Sequence, residues 1–122
     1  MSPHEIFTTR VNGSTLILKV HGDVSGLADS AALGQLDRIL QQLKTDSITN
    51  VVVDFGQSAY FGSSFLETLR RIWNDIHTRD GKMLLCNVSP VGREILEIAK
   101  FDQLWPMVAT CDDAERQLQT LA

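Results

Sequence analysis

Two adjacent hydroxyls, Ser63 and Ser64, are the residues of this chain best placed to do chemistry. They follow an apolar run, Val51-Val52-Val53, that ends at Asp54. They precede Leu66, Leu69, Ile72, Trp73 and Ile76, whose spacing of three and four is that of one helix face. A strand, a loop and a helix start in that order leave unpaired backbone N–H groups beside the two hydroxyls, and a helix start favours negative charge. The chemistry expected there is the acceptance or reading of a phosphate, which would make the site a switch. Ser64-Phe65-Leu66-Glu67 also spells a capping box, in which the serine oxygen accepts an amide and the glutamate reaches back to the cap. A capping hydroxyl keeps its proton outward, so the two roles are compatible.

No constellation for catalysis accompanies these serines. The chain has no Gly-x-Gly-x-x-Gly, Walker, Gly-x-Ser-x-Gly or zinc-spaced motif, so neither an enzyme nor a cofactor is expected. His4, His21 and His77 are widely separated and are expected as ordinary surface or half-buried residues. Cys86 and Cys111 lie far apart without a Cys-x-x-Cys, so neither a metal site nor a disulfide framework is expected, and Cys86 is read as a small buried residue. Asp54 stands where a phosphoacceptor aspartate would end a strand. An acidic pair after the first strand and a late lysine are missing, which leaves Asp54 as a loop-capping carboxylate.

The elements that must hold the serines can be followed along the chain. Glu5 to Arg10 and Thr15 to Val20 flank Asn12-Gly13, a strong hairpin signal. A helix is expected from Ala31, capped by Asp29 or Ser30, with Leu33, Leu36, Ile39, Leu40 and Leu43 on one face. Val51 to Phe55 is expected as a central strand buried on both faces. The helix after the serines should stop near Asp80-Gly81, because glycine readily takes the left-handed position at a helix end. Met83 to Cys86 is a further strand, and Ser89-Pro90 opens a third helix running to about Lys100. A short strand near Met107 to Ala109 and a final helix with an acidic start, Asp112-Asp113-Ala114-Glu115, complete the order. Trp73 and Trp105 are expected to fill core volume.

Alternating strands and helices give an α/β fold with a mixed sheet and about four helices. The 122 residues, 43% hydrophobic and 21% charged, fit one domain spanning 1–122. A net charge of -4 with 11 scattered basic residues argues against nucleic acid as partner. No apolar run approaches the about 18 residues of a membrane span, and the start of the chain lacks a signal-peptide layout, so a cytoplasmic location is expected.

The run Asp54 to Leu66 resembles the STAS domain, the family of bacterial anti-sigma-factor antagonists, in which Asp-Ser-Ser-Gly-Leu opens a helix and the second serine is phosphorylated. Gly62-Ser63-Ser64-Phe65-Leu66 matches that pattern at three of five positions. Val20-His21-Gly22-Asp23-Val24 and the stretch Leu96 to Leu104 are similar to further family segments, with Lys100 where relatives often carry glycine. The resemblance implies a non-enzymatic regulator phosphorylated at Ser64, with Ser63 as second candidate. Its implied partners are an anti-sigma-factor serine kinase and a phosphatase. A STAS scaffold or transporter-associated module that is never phosphorylated is the alternative, because Gly62 and Phe65 depart from the pattern. At about 100° per residue Phe65 falls within the inward arc of the helix, whereas Ser64, Glu67, Arg71 and Asn74 share the opposite side. These four, with Ser63, form the expected partner-binding surface.

Overall fold

The computed structural model describes residues 7–20, 30–45, 47–56 and 63–121. Strands β1 (Phe7–Asn12) and β2 (Thr15–Val20) lead to helix α1 (Ser30–Thr45), and β3 (Asn50–Asp54) leads to α2 (Ser63–His77). Then come β4 (Met83–Cys86), α3 (Pro90–Ile98), a 3-10 turn (Phe101–Gln103), β5 (Met107–Val108) and α4 (Cys111–Leu121). The sheet order is β1-β2-β3-β4-β5, antiparallel between β1 and β2 and parallel from β2 to β5. β3 is therefore the central strand, as its double-sided apolar character requires. The element order and the α/β class match the sequence expectation.

The first hairpin turns one residue later than expected. Asn12 pairs with Thr15, so the loop is Gly13-Ser14. Gly13 has φ +63 and Ser14 is not left-handed, the signature of a two-residue hairpin with glycine first. Asn12 is thereby drawn into β1, which runs to residue 12 instead of stopping at Arg10. Glu5 lies outside the described residues, as do Asp29 and the segment His21 to Val24.

Alternation along the strands divides the core between two faces. Leu16, Leu18, Val51, Val53, Met83 and Leu85 meet Ile39 and Leu43 of α1, Phe65, Leu69, Ile72 and Ile76 of α2, and Leu96 of α3. Ile17, Val52, Leu84 and Cys86 point the other way, under Ala114 and Leu118 of α4. Each such side chain taken fully from water contributes about 1.5–3 kcal/mol, which makes this two-sided burial the main force holding the helices on the sheet. Trp105 is fully buried, whereas Trp73 packs at the core margin and stacks on His77. The side chains of Leu33 and Leu36 lie outside the described ones.

Helix ends follow local chemistry. The Ser89 hydroxyl accepts from the Gly92 amide at 3.0 Å and Pro90 opens α3, as expected. Thr110 accepts from the Asp113 amide at 3.1 Å and caps α4, with Asp112 and Asp113 in its first turn. The end of α2 corrects the sequence reading. Asp80, with φ +59, takes the left-handed position, while the Gly81 amide reaches back to the Ile76 carbonyl and that of Asp80 to His77. Gly81 is required for another reason: a Cβ there would overlap the Thr49 carbonyl oxygen. Helix α3 stops at Ile98, and Lys100 adopts φ +66 before the 3-10 turn. The left-handed backbone at Lys100 accounts for glycine being at home in that position.

Candidate functional site

The strand register sets Lys19 beside Asp54, Asp54 beside Cys86, and Cys86 beside Val108. Four parallel strands thus end in a row. From this carboxyl edge the chain passes into α1, α2, α3 and α4, so four helix N-termini, each with unpaired N–H groups, open toward the same side of the sheet.

At α2 the bounds place Ser63 first and Ser64 second in the helix. Their own amides are among the N–H groups that an intrahelical carbonyl cannot reach. Both serines are thus brought to an anion-favouring helix start, as expected. The capping-box expectation is corrected, because Ser64 stands inside the first turn and not before it. The position preceding the helix falls on Gly62, which lies outside the described residues. Serine is preferred over glycine at a cap by only a few tenths of a kcal/mol, too little for a sequence motif to fix the helix start.

Beyond the serines, α2 divides as its periodicity requires. Phe65 is fully buried, with its ring edge-on to Phe55 at 5.7 Å and 86°. Leu66 packs at the core margin. Glu67, Arg71 and Asn74 are all exposed, and they continue the side of the helix on which Ser64 falls. The described structure therefore keeps one apolar face for the core and leaves one polar stripe free.

Asp54 is a loop-capping carboxylate, as expected. One of its oxygens accepts from the Gly56 amide at 2.8 Å and from the Asn87 side chain at 3.0 Å. Burial by itself raises its pKa, but the bonds from Asn87, the Gly56 amide and the Cys111 thiol, together with the Lys19 charge, hold it below the ordinary carboxylate value. Asp54 is committed to fixing the exit of β3 and stays ionised while doing so.

The two cysteines, far apart in sequence, lie side by side in the fold. Their sulfurs are 2.8 Å apart, one at the end of β4 and the other at the start of α4. With Asp54 they bring three possible metal ligands within 4.8 Å of one another. Distance along the chain was the wrong measure. β5 returns the chain beside β4, and α4 then crosses back over the sheet, so residues 25 apart in sequence end up side by side. Burial pushes both thiols up in pKa, Cys86 the further, so both are protonated at neutral pH. Cys86 is buried, as expected, but it has a partner. Asn87 and this pair are the residues of the edge that sequence reasoning missed.

A family model described as STAS domain matches residues 7–114. A Bordetella bronchiseptica protein named as anti-sigma factor antagonist BtrV is 26% identical over 97 residues, covering 80% of this chain and 84% of its own length. The solved structure of the anti-sigma factor antagonist SpoIIAA in its unphosphorylated form superposes with a TM-score of 0.72 at 19% identity, covering 93% of this chain and 97% of that one. The phosphorylated form of the Bacillus cell fate determinant SpoIIAA gives 0.71 at 18% identity, covering 92% and 98%. No helix among the described residues is long and apolar enough to cross a membrane.

Proposed function

The chain belongs to the STAS domain family, and on that premise we propose that it is a non-enzymatic anti-sigma-factor antagonist switched by phosphorylation at Ser64. Its unphosphorylated form binds an ATP-dependent anti-sigma-factor serine kinase in the bacterial cytoplasm, which frees a sigma factor for transcription. A phosphatase resets the switch. The nucleotide belongs to the partner, and this chain supplies the acceptor hydroxyl and the docking stripe.

The observation that carries this proposal is the layout of α2. Its first turn holds Ser63 and Ser64, Phe65 is buried in the core, and Glu67, Arg71 and Asn74 are left exposed on the Ser64 side. A kinase bound along that stripe has the acceptor serine at its end. Phosphorylation then adds about -1.5 to -2 charges inside the contact, where the cost of desolvating them opposes docking. The existence of a solved relative in both unphosphorylated and phosphorylated forms supports the same chemistry here.

The test is kinase labelling of the full chain followed by tandem mass spectrometry. One phosphate at Ser64 is expected, with none on Ser64→Ala. Phosphate at Ser63 would move the switch by one residue. Absence of labelling with any kinase that binds the chain would favour a scaffold or transporter-associated STAS module, a reading that the departures at Gly62 and Phe65 keep in play.

A further inference from the structure

We infer that Cys86 and Cys111 form a site of reversible oxidation, closing to an intramolecular disulfide in the presence of a peroxide. They are the only two cysteines in the chain. Their sulfurs already face each other at 2.8 Å, and the roughly 2.05 Å of a disulfide bond needs only a small further approach. A shared metal ion suits this distance less well. With zinc–sulfur bonds of about 2.3 Å in a tetrahedral site, two thiolates stand about 3.8 Å apart, so a metal would have to push these sulfurs away from each other. The neighbouring cations point the same way. Cys111 lines an open cleft of about 310 Å³ with Thr8, Arg10, Lys19 and Asp54, so a small oxidant can reach its sulfur, and the positive side chains of Arg10 and Lys19 disfavour a cation there.

Access differs between the two thiols and sets the order of events. Cys111 is half-buried at the cleft, whereas Cys86 is enclosed beneath α4. Hydrogen peroxide entering the cleft meets Cys111 first. The Cys111 sulfur attacks the O–O bond: a sulfur–oxygen bond forms, the O–O bond breaks, and the departing hydroxide takes the thiol proton and leaves as water. The Cys86 sulfur then attacks the Cys111 sulfenic acid. The S–S bond forms, the sulfur–oxygen bond breaks, and the Cys86 proton leaves with the hydroxide as a second water. Two thiol sulfurs together lose two electrons to one peroxide, and a small thiol reverses the change.

Closure would staple the end of β4 to the start of α4. It would also take from Asp54 the hydrogen bond of the Cys111 thiol and leave it the Gly56 and Asn87 donors. None of this depends on phosphorylation at Ser64, so the two proposals stand or fall separately.

Hydrogen peroxide and the reduced full chain are enough for the test. After exposure, catalase quenching and unfolding in iodoacetamide, the expected product is a monomer with neither thiol alkylated. Tryptic mapping should then give one linked pair of peptides carrying Cys86 and Cys111, separated by dithiothreitol. The oxidised chain should unfold at a higher urea concentration than the reduced one. In Cys86→Ser the sulfenic acid should persist on Cys111 and be trapped by dimedone. Alkylation of both thiols after peroxide, disulfide-linked dimers, or over-oxidation of Cys111 without a link would overturn the proposal. Stoichiometric zinc retained by the reduced chain and shielding both thiols would also overturn it, in favour of a metal centre.

Discussion

Phe65 decides which side of α2 is left for a partner. Where the family pattern has glycine, this chain buries an aromatic ring against Phe55, so the helix is pinned to the sheet directly after Ser64, the proposed switch residue. Truncation in Phe65→Ala should therefore cost about 3–5 kcal/mol in a urea melt. Arg71→Ala removes an exposed side chain and should move the melt by less than about 0.5 kcal/mol, while weakening binding of the kinase. A stable Phe65→Ala protein that no longer binds would reverse this assignment of faces. Asp54 gives a second test at the same scale. Its carboxyl is held below its ordinary value in the folded chain, so its stabilising contribution is present above about pH 3.8 and is lost as the pH falls through the lower folded value. The stability difference between wild type and Asp54→Asn, followed by urea midpoint from about pH 6 down to about pH 3, should shrink only at the acid end. A difference that stays constant over that range would mean that Asp54 is not held by these bonds.

Helix ends and turns separate what was legible in the sequence from what was not. Ser89-Pro90 announced α3 correctly, because a cap hydroxyl and a proline without an N–H act within a single turn. The close of α2 was placed well but explained wrongly. Asp80 takes the left-handed turn and Gly81 is needed for the close approach of Thr49, a contact between distant segments that no local pattern encodes. The same distinction governs the candidate site. The stripe from Glu67 to Asn74 follows from helical period, and Ser63 and Ser64 from their place at the helix start together with the family resemblance. The Cys86–Cys111 pair and the Asn87 bond to Asp54 exist only because parallel strands end in register. Lys100 offers a test of the element between α3 and β5. A non-glycine residue at φ +66 carries about 1–2 kcal/mol of strain, part of which glycine gives back as flexibility of the unfolded chain. Lys100→Gly should therefore stabilise the protein by about 0.5–1 kcal/mol, measured as an upward shift of the urea midpoint. A loss of stability would mean that the lysine side chain makes up for its backbone.

Across the whole molecule, the parallel sheet gathers four helix starts, the Asp54 carboxylate and the cysteine pair at one edge. Among the described residues, the opposite ends of the strands carry turns and helix ends. Among the described residues α4 covers the far face, while α1, α2 and α3 share the other, so α2 has its inner side in the core and its outer side exposed. A STAS domain built this way can change its partner affinity without refolding, because charge added in the first turn of α2 alters a surface and leaves the core untouched. The most direct measurement is calorimetric titration of the cognate kinase with two forms of the chain, unmodified and phosphorylated at Ser64. Binding of the phosphorylated form should be weaker by about tenfold or more, a difference of about 1.4 kcal/mol. Equal affinity of the two forms would contradict the switch.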